Sequence, residues 1–565
     1  MDNQRLILTV ALGFILLMIW QAWDQQHAPP PALIVASTPA TPGSADVPSA
    51  PNAPRTTAAT KEAPNTTLAQ GERIDVVTDM VTAGIDTQGG DLRDLRLRQY
   101  PVAIETPNVP FQLMADHDSV FVAQSGLIGQ DTDLPNHNTR FTATQKRYVL
   151  ADKDNELRVP LTFQSRSGIR YTKTYVFRRN SYAVDIEFAV ANHSNREWSG
   201  YLYNQFQRSR VEAGGMFSVS TYTGAAIYSP ASKYEKVSFD DIGKGPLKRE
   251  VTGGWVAMLQ HYFVGAWLPE KTERLEFYTR KLESDPYYRV GYQQLTPTTV
   301  APGKNGFLRT RLYAGPKEHS RLVTLACPNA DLSKPVCAED EQTRAPGMEL
   351  TVDFGALTFI ASPLFWLLNA LYRLLNNWGW AIIALTVLIK LAFYPLSAAS
   401  YKSMAQMRKV APKLEAIKKH HGHDKQALNQ AMMELYKVEK INPLGGCLPI
   451  LIQIPVFIAL YWTLLESVEM RQAPWIFWIK DLSSKDPYYV LPIIMGITMY
   501  AQQQLSPQSP DPMQRKIFMF MPIMFTGMFI FFPAGLVLYW AVNNLLSIAQ
   551  QWRINKITTG KSKAA

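Results

Sequence analysis

Apolar and polar residues alternate along much of the chain between about residues 72 and 345. In the segment 184–190, four apolar residues alternate with Asp185, Glu187 and Ala189, which is the pattern of a strand with one buried face. Similar β-branched and aromatic runs, separated by turn residues, lie at 170–179, 274–280 and 307–313. Because helical periodicity is scarce here, this segment is predicted to be one large antiparallel β-sandwich.

Beyond residue 346 the alternation gives way to long apolar runs. Three runs contain no charged residue: 441–465, 487–510 and 517–552. A fourth run, 374–401, contains one charged residue, Lys390. As one helix, the run 517–552 would measure about 54 Å, against a hydrocarbon core of about 30 Å. It must therefore turn, and Pro533-Ala534-Gly535 supplies the break. The runs predict five membrane spans, at about 378–397, 445–465, 489–505, 517–533 and 535–552. The shorter segment 364–376 is amphipathic and is predicted to lie in the membrane interface.

The first 24 residues contain a further apolar run, which carries no charge from Leu6 to Trp23. A cleaved signal peptide is one interpretation, but the length and flanks of the run favour an uncleaved signal-anchor helix. Residues 25–71 are rich in Pro, Ala, Thr and Ser, and they are predicted to form a disordered linker.

The net charge of +10 is concentrated in the most apolar part of the chain. From Thr351 onward there are 20 Lys and Arg but 10 Asp and Glu, whereas the whole chain has 57 and 47. A soluble enzyme or a DNA-binding protein would not combine these properties, so the charge instead indicates a membrane protein. With three cysteines in 565 residues, a disulfide-dense scaffold is also excluded.

Lysine and arginine counts in the short loops predict the orientation of the spans. The loop at 398–443 carries nine, and the tail at 553–565 carries four without an acid. The loop at 466–488 has three, offset by four acids. The positive-inside rule makes the first two segments cytoplasmic, as a helical hairpin and a basic tail. With the N-terminal anchor as a sixth span, both termini lie in the cytoplasm and the sandwich lies on the other side of the membrane.

Lys390 is the sharpest candidate for a functional residue in the spans. An intramembrane cation is costly and persists only where it faces protein or water, or where it snorkels to the headgroups. Both a snorkelling lysine and a polar cavity fit its position. Polar residues elsewhere in the spans favour the cavity: Thr386, Gln453, Gln502, Gln503, Gln504, Thr526, Asn543, Asn544 and Ser547. No span contains an acid, so Lys390 is suited to receive an anionic group from another molecule.

The 398–443 loop contains two apolar stripes at helical spacing, and Asp424 is a suitable N-cap for the second helix. The two helices could simply pack on each other, or their methionines could capture apolar segments. The histidines at 420, 421 and 423 indicate a polar turn or, alternatively, a metal cluster. The histidines of the sandwich show no metal-ligand spacing.

Cys327 and Cys337 close a short proline-containing loop in the segment predicted to be exported. A disulfide is plausible in an oxidising compartment, and two free thiols are the alternative.

Several short motifs resemble those of the YidC/Oxa/Alb family of membrane protein insertases. They are Asn-Trp-Gly at 377–379, Tyr-Pro-Leu at 394–396, Ile-Asn-Pro-Leu-Gly-Gly-Cys at 441–447, Gln-Ala-Pro-Trp at 472–475, Asp-Pro-Tyr-Tyr at 486–489, Asp-Pro-Met-Gln at 511–514 and Phe-Pro-Ala-Gly-Leu-Val-Leu-Tyr at 532–539. The resemblance is specific over about 355–552, and for the sandwich it rests on architecture. It implies a bacterial inner-membrane protein of the Gram-negative form, with a large periplasmic domain.

The resemblance implies a fold and a set of groove residues. Residues 72–345 would form a β-supersandwich like that of sugar mutarotases, and residues 355–552 would form five core helices around a hydrophilic groove open to the cytoplasm. The implied groove residues are Lys390, Thr386, Gln453, Tyr539, Trp540 and Asn543. Two of these depart from the family pattern, because the groove cation is commonly Arg and a second Tyr often stands where Trp540 does.

An insertase and chaperone of integral membrane proteins is therefore the first functional hypothesis. Its implied partners are nascent membrane proteins, the lipid bilayer, the Sec translocon and, through the hairpin and the tail, the ribosome. This hypothesis implies a protein that is not an enzyme and requires no cofactor or metal. The alternative is a small-solute transporter, which should show internal repeats and paired intramembrane charges. A glycan-active enzyme is a third possibility, but paired catalytic carboxylates cannot be identified from the sequence.

Overall fold

The computed structural model describes residues 47–51, 68–131, 133–210, 221–281, 286–326, 345–421, 424–439, 448–505 and 512–560. The predicted anchor, most of the predicted linker, Cys327 and Cys337 lie outside the described residues. The chain divides into two compact units, one within Pro29–Val352 and the other containing Asp353–Ala565.

The described part of the first unit contains twenty strands. In chain order they are β1 (Arg73–Val77), β2 (Val81–Asp86), β3 (Asp91–Pro101), β4 (Pro110–Met114), β5 (Phe121–Ile128), β6 (Thr142–Ala143), β7 (Arg147–Val149), β8 (Glu156–Gln164), β9 (Ile169–Arg178), β10 (Ala183–Asn192), β11 (Trp198–Ser209), β12 (Gly224–Ser229), β13 (Lys233–Val237), β14 (Lys248–Thr252), β15 (Trp255–Leu259), β16 (Phe263–Leu268), β17 (Arg274–Lys281), β18 (Tyr287–Gln294), β19 (Thr298–Val300) and β20 (Asn305–Pro316). Two short helices accompany them, α1 (Phe239–Lys244) and α2 (His319–Ala326).

The strands form two large sheets. The first has the order β14-β17-β18-β11-β5-β3-β2-β1-β7, with β4 beside β3 and β19 beside β11. The second has the order β13-β12-β15-β16-β20-β10-β9-β8-β6. The predicted sandwich is thus confirmed. It is not wholly antiparallel, because β1 and β7 pair in parallel.

Strand β10 shows why the alternating pattern predicts this fold. Its four predicted inward residues, at 184, 186, 188 and 190, are buried, and the residues between them are only partly buried. On the other face, Asp185 accepts a hydrogen bond from Arg311 of β20 (2.6 Å). The predicted strands at 170–179, 274–280 and 307–313 correspond to β9, β17 and β20.

One ion pair crosses the interior between the two sheets. Lys173 of β9 donates to the carbonyl oxygens of Gly89 (3.0 Å) and Ser125 (2.9 Å), and its Nζ lies 4.0 Å from Oδ1 of Asp91 on β3. Both side chains are fully buried. Burial lowers the pKa of Lys173 to about 8, and burial raises the pKa of Asp91. The ammonium also lies over three aromatic rings, those of Phe141, Tyr175 and Phe188.

The second unit is helical. The helices of its described residues are α3 (Thr358–Leu375), α4 (Trp378–Ala392), α5 (Tyr394–His421), α6 (Lys425–Val438), α7 (Leu448–Glu466), α8 (Val490–Leu505), α9 (Pro512–Phe529) and α10 (Ala534–Gly560). Each of the five predicted spans overlaps one of these helices, namely α4, α7, α8, α9 or α10. By length and hydropathy, α3 could cross a membrane on its own, and α4 with residues Tyr394–Met404 could form a second, bent span. The five-span interpretation stays a prediction.

Helix α4 covers the first 15 residues of the predicted span at 378–397, and the end of that span lies in the start of α5. Helix α4 ends at Ala392, and the chain bends by 67° into α5. The cause is Pro395, which has no N–H to donate and whose ring would clash with the carbonyl four residues earlier in a continuous helix. At the start of α5 the same proline is well tolerated.

Helices α5 and α6 form the hairpin predicted from the two apolar stripes. Asp424 accepts hydrogen bonds from the backbone N–H groups of Gln426 (2.8 Å) and Ala427 (3.1 Å), which confirms the predicted N-cap. The helices pack on each other through Val410, Leu414, Tyr436, Met407, Met432 and Leu435. Of the histidine cluster, positions 422 and 423 lie outside the described residues.

Candidate functional site

Lys390 lies in the last turn of α4 and reaches two neighbouring helices. Its Nζ donates to Oγ of Ser547 on α10 (2.7 Å) and to Oε1 of Gln453 on α7 (3.4 Å). Gln453 in turn donates from Nε2 to Oδ1 of Asn543 (2.5 Å). Three helices therefore meet at one hydrogen-bonded cluster, which we call the Lys390 cluster: Lys390, Gln453, Asn543 and Ser547.

The partners of the ammonium in the Lys390 cluster are electrically neutral. No carboxylate of the described chain forms an ion pair with Lys390. A charge-assisted hydrogen bond to a neutral group satisfies the N–H but leaves the positive charge uncompensated. The cluster can therefore exchange a neutral acceptor for an anionic one, whereas a buried ion pair could not do so without losing its own carboxylate.

A small recess lies beside the cluster. It has a volume of about 20 Å³ and is lined by Ile389, Lys390, Phe393, Leu396, Ser397, Gln453 and Val456. A volume of this size accommodates about one water molecule.

The other predicted site residues lie apart from the ammonium. Thr386 is buried one turn earlier on α4 and donates to the carbonyl of Ile382 (2.7 Å), so its hydroxyl is used within its own helix. Tyr539 and Trp540 contact Phe457 of α7, with ring centroids 6.1 and 4.5 Å away. They belong to an aromatic contact between α7 and α10. The Trp540 indole N–H has no hydrogen-bond partner within the described part of the chain.

Ser547 is the member of the cluster that sequence reasoning placed only among the general polar residues. Asn543 and Ser547 are four residues apart and therefore share one face of α10. Ser547 also donates to the carbonyl of Asn543 (2.7 Å), which orients its oxygen toward Lys390. This i, i+4 spacing was the available signal, although it does not identify the partner helix.

The loop between α7 and α8 closes the end of the helical unit that holds the start of α4. Its carbonyls at Ser484 and Leu482 accept hydrogen bonds from the backbone N–H groups of Ala534 (2.7 Å) and Gly535 (2.9 Å). Trp475 packs so closely on Gly379 that a Cβ there would lie 2.1 Å from the ring. The loop therefore packs tightly against the starts of α4 and α10, and this packing closes the path to Lys390 from this end.

Comparison with known proteins extends over the whole chain. Residues 73–367 match the family model described as YidC periplasmic domain, and residues 370–562 match the model described as 60Kd inner membrane protein. Three similar relatives each bear the name membrane protein insertase YidC. The relative from Pseudomonas syringae pv. syringae is 49% identical and covers 100% of both chains. The one from Methylobacillus flagellatus is 48% identical over 99% of this chain and 98% of its own. The one from Thioalkalivibrio sulfidiphilus is 46% identical over 98% of each.

Proposed function

This chain belongs to the YidC family of membrane protein insertases, and from that premise we propose that the Lys390 cluster receives the translocated polar segment of each client protein. The observation that carries the proposal is the ammonium of Lys390, which is held by Ser547 and Gln453 and has no carboxylate partner in the described chain. The function is the insertion and folding of integral proteins of the bacterial inner membrane, a non-enzymatic activity.

We place the chain in the inner membrane with residues 72–345 in the periplasm, following the matched periplasmic and inner-membrane families. Residues 355–552 would form the core with five spans, and both termini would be cytoplasmic. Exposed apolar side chains on the helices support lipid contact, for example Ile497 on α8 and Phe520 and Ile523 on α9. The hairpin and the tail at 553–565 carry the cations that the positive-inside rule assigns to the cytoplasm.

The mechanism follows from the charge and the position of the cluster. A client with a short acidic outer tail must move that tail through the apolar middle of the bilayer, which is costly without a polar relay. The Lys390 ammonium would attract the carboxylates of the tail, because a charge contact is stronger in a low-dielectric site than in water. Gln453 and Ser547 would hold the ammonium again once the tail has left.

Release of the client would be driven by its own apolar helix. That helix could leave sideways between α7 and the exposed apolar face of α9, and burial of its side chains in lipid favours the step. No covalent step is involved. The Sec translocon and the ribosome are proposed partners, with the hairpin of α5 and α6 as the surface nearest to a cytoplasmic ribosome. The relatives are named insertases, so the small-solute transporter is not favoured.

The test is a set of Lys390 variants in cells depleted of the native protein. We expect Lys390→Arg to retain insertion, because it keeps the charge. Lys390→Ala should fail mainly on clients with acidic translocated tails, and Lys390→Glu should be worse. Protease protection of the client tail, compared between acidic and neutralised versions of one client, measures the effect.

Lys516→Ala is the matched control, because it removes one cation from an exposed position at the start of α9. It should insert both clients like the native protein. Insertion of the acidic client by Lys390→Ala at the native rate and at native expression would show that the charge is not used.

A further inference from the structure

The loop between α7 and α8 carries aromatic rings on a rigid support. One side of the loop is buried against the helices through Val468, Met470, Ile479 and Leu482. Two carboxylates organise its backbone. Asp486 accepts hydrogen bonds from the N–H groups of residues 488 (3.0 Å) and 491 (2.7 Å). Asp481 accepts hydrogen bonds from the N–H groups of residues 472 (3.0 Å) and 483 (2.8 Å). The loop is therefore a fixed platform, and its outward side chains are held in place.

Phe477 projects from this platform in an unusual conformation. Its backbone has φ 52°, and its side chain is 84% exposed. A bulky residue rarely adopts positive φ, and a large aromatic ring is rarely left so open to water. The fold thus constrains Phe477 to point away from the protein, and burial within this chain does not explain the arrangement.

Phe477 is one end of a row of rings. It stacks on Trp478 at 6.0 Å between centroids, and Trp478 meets Tyr488 edge-on at 6.4 Å. The Trp478 indole N–H donates to Asp486 (3.0 Å), which fixes the middle ring. Tyr488 is 67% exposed. Together, Phe477, Trp478 and Tyr488 form what we call the aromatic row.

The aromatic row is continuous with an apolar helix face. Tyr488 and Tyr489 directly precede α8, and Ile493 and Ile497 follow on its exposed side, Ile497 being 63% exposed. Lys480 and Lys485 of the same loop are exposed as well. Aromatic rings beside lysines at the end of an apolar helix are the composition of a membrane–water interface.

We propose that the aromatic row inserts into the headgroup region of the periplasmic leaflet of the inner membrane. The occupant is lipid because the row extends the surface of α8 that the proposed function places in the hydrocarbon. The inference therefore rests on that function and adds to it an anchor that holds the closed end of the bundle at a fixed depth. The ammonium groups of Lys480 and Lys485 would lie at the level of the lipid phosphates.

Nitroxide accessibility tests the depth directly. In a full-length chain whose three native cysteines are replaced by serine, a single spin label is placed at Phe477→Cys, Ile497→Cys or Asn155→Cys. The purified proteins are reconstituted in nanodiscs of phosphatidylethanolamine and phosphatidylglycerol. The measurement is the ratio of collision rates with oxygen, which partitions into lipid, and with a water-soluble nickel complex.

We expect the ratio to be highest at 497, lowest at 155 in the sandwich, and several-fold higher at 477 than at 155. A label at Tyr488→Cys, which keeps the Phe477 ring, should also exceed position 155. A ratio at 477 equal to that at 155, with position 497 still in lipid, would overturn the anchor and leave the span intact. An aqueous ratio at 497 would instead contradict the proposed function's topology. Shielding of 477 only in native membrane vesicles would identify a protein as the occupant and would also overturn the proposal.

Discussion

Replacing Lys173 by Met should destabilise the β-sandwich more than any single loss of surface charge. The ammonium is fully buried, donates to two backbone carbonyls and faces the buried Asp91 at 4.0 Å. Methionine fills a similar volume but leaves the carboxylate without this cation. Breaking a buried pair in this way costs about 3–5 kcal/mol. Arg93, 3.9 Å from Asp91, remains as a partial counter-charge, so we expect the lower end of that range, about 3 kcal/mol.

A double variant separates the charge from the packing. In Lys173→Met with Asp91→Asn, the uncompensated carboxylate is gone, while Gln124 can still donate to the side chain at position 91. The two carbonyls still lose their donor, at a cost of about 1–3 kcal/mol for each one that is left unsatisfied. The double variant should therefore be more stable than Lys173→Met alone, despite containing one more substitution.

Pulse proteolysis of the full-length protein across a urea series would measure these differences in the sandwich. A loss of about 3 kcal/mol should lower the urea midpoint by about 1 M or more. Lys248→Met is the matched control, since Lys248 pairs with Glu276 at the surface (3.4 Å) and should change stability by less than about 1 kcal/mol. The reasoning would be refuted if the urea midpoint of Lys173→Met equalled that of Lys248→Met within error. It would also be refuted if the double variant lost as much stability as Lys173→Met and Asp91→Asn lose in sum.

Three further predictions follow from the described geometry. Because the pKa of Lys173 is about 8 when folded and about 10.4 when unfolded, the unfolded state binds more protons in that window. Sandwich stability should therefore gain about 2 kcal/mol from this group between pH 8 and 10, and Lys173→Met should lack the gain in the same urea assay. Gly379→Ala would place a Cβ 2.1 Å from the Trp475 ring, so it should lower the melting temperature of the helical unit in detergent, and an unchanged melting temperature would contradict the packing. An impermeant thiol reagent should label a single cysteine at Asn155 after outer-membrane permeabilisation but not one at Lys419, and labelling of Lys419 from outside would reject the proposed orientation.

The strands were predictable because a period of two is a local property of the sequence. Lys173 illustrates both the reach and the limit of that pattern. It lies two residues from Tyr171 and from Tyr175, both buried, so its inward direction was available from the alternation. Its partner was not, because Asp91 lies on a strand of the opposite sheet and no local pattern encodes that meeting. The parallel pairing of β1 with β7 was missed for the same reason.

The candidate site shows the same division between local and long-range information. Lys390 stood out as the single charge in an apolar run, and Asn543 and Ser547 share a helix face by spacing. Whether these residues meet depends on how α4, α7 and α10 pack. Gln453 lies 63 residues from Lys390 in the sequence, and Ser547 lies 157 residues from it. The bend after Ala392 was signalled by Pro395, although the uncharged run continues through it and suggested a longer span.

The neutral surroundings of Lys390 also set how long a client can stay. A carboxylate that contacts the ammonium in place of Ser547 or Gln453 gains about 4 kcal/mol of Coulomb energy at an effective dielectric constant of about 20, which corresponds to a dissociation constant of about 1 mM. With association at about 10⁷ M⁻¹s⁻¹, the residence time is about 0.1 ms. A ribosome adds about 5–20 residues per second, so the contact would form and break hundreds of times before the next residue arrives. In the proposed function, such a site would handle a tail by rapid exchange, and each client would remain free to leave as soon as its helix reaches lipid.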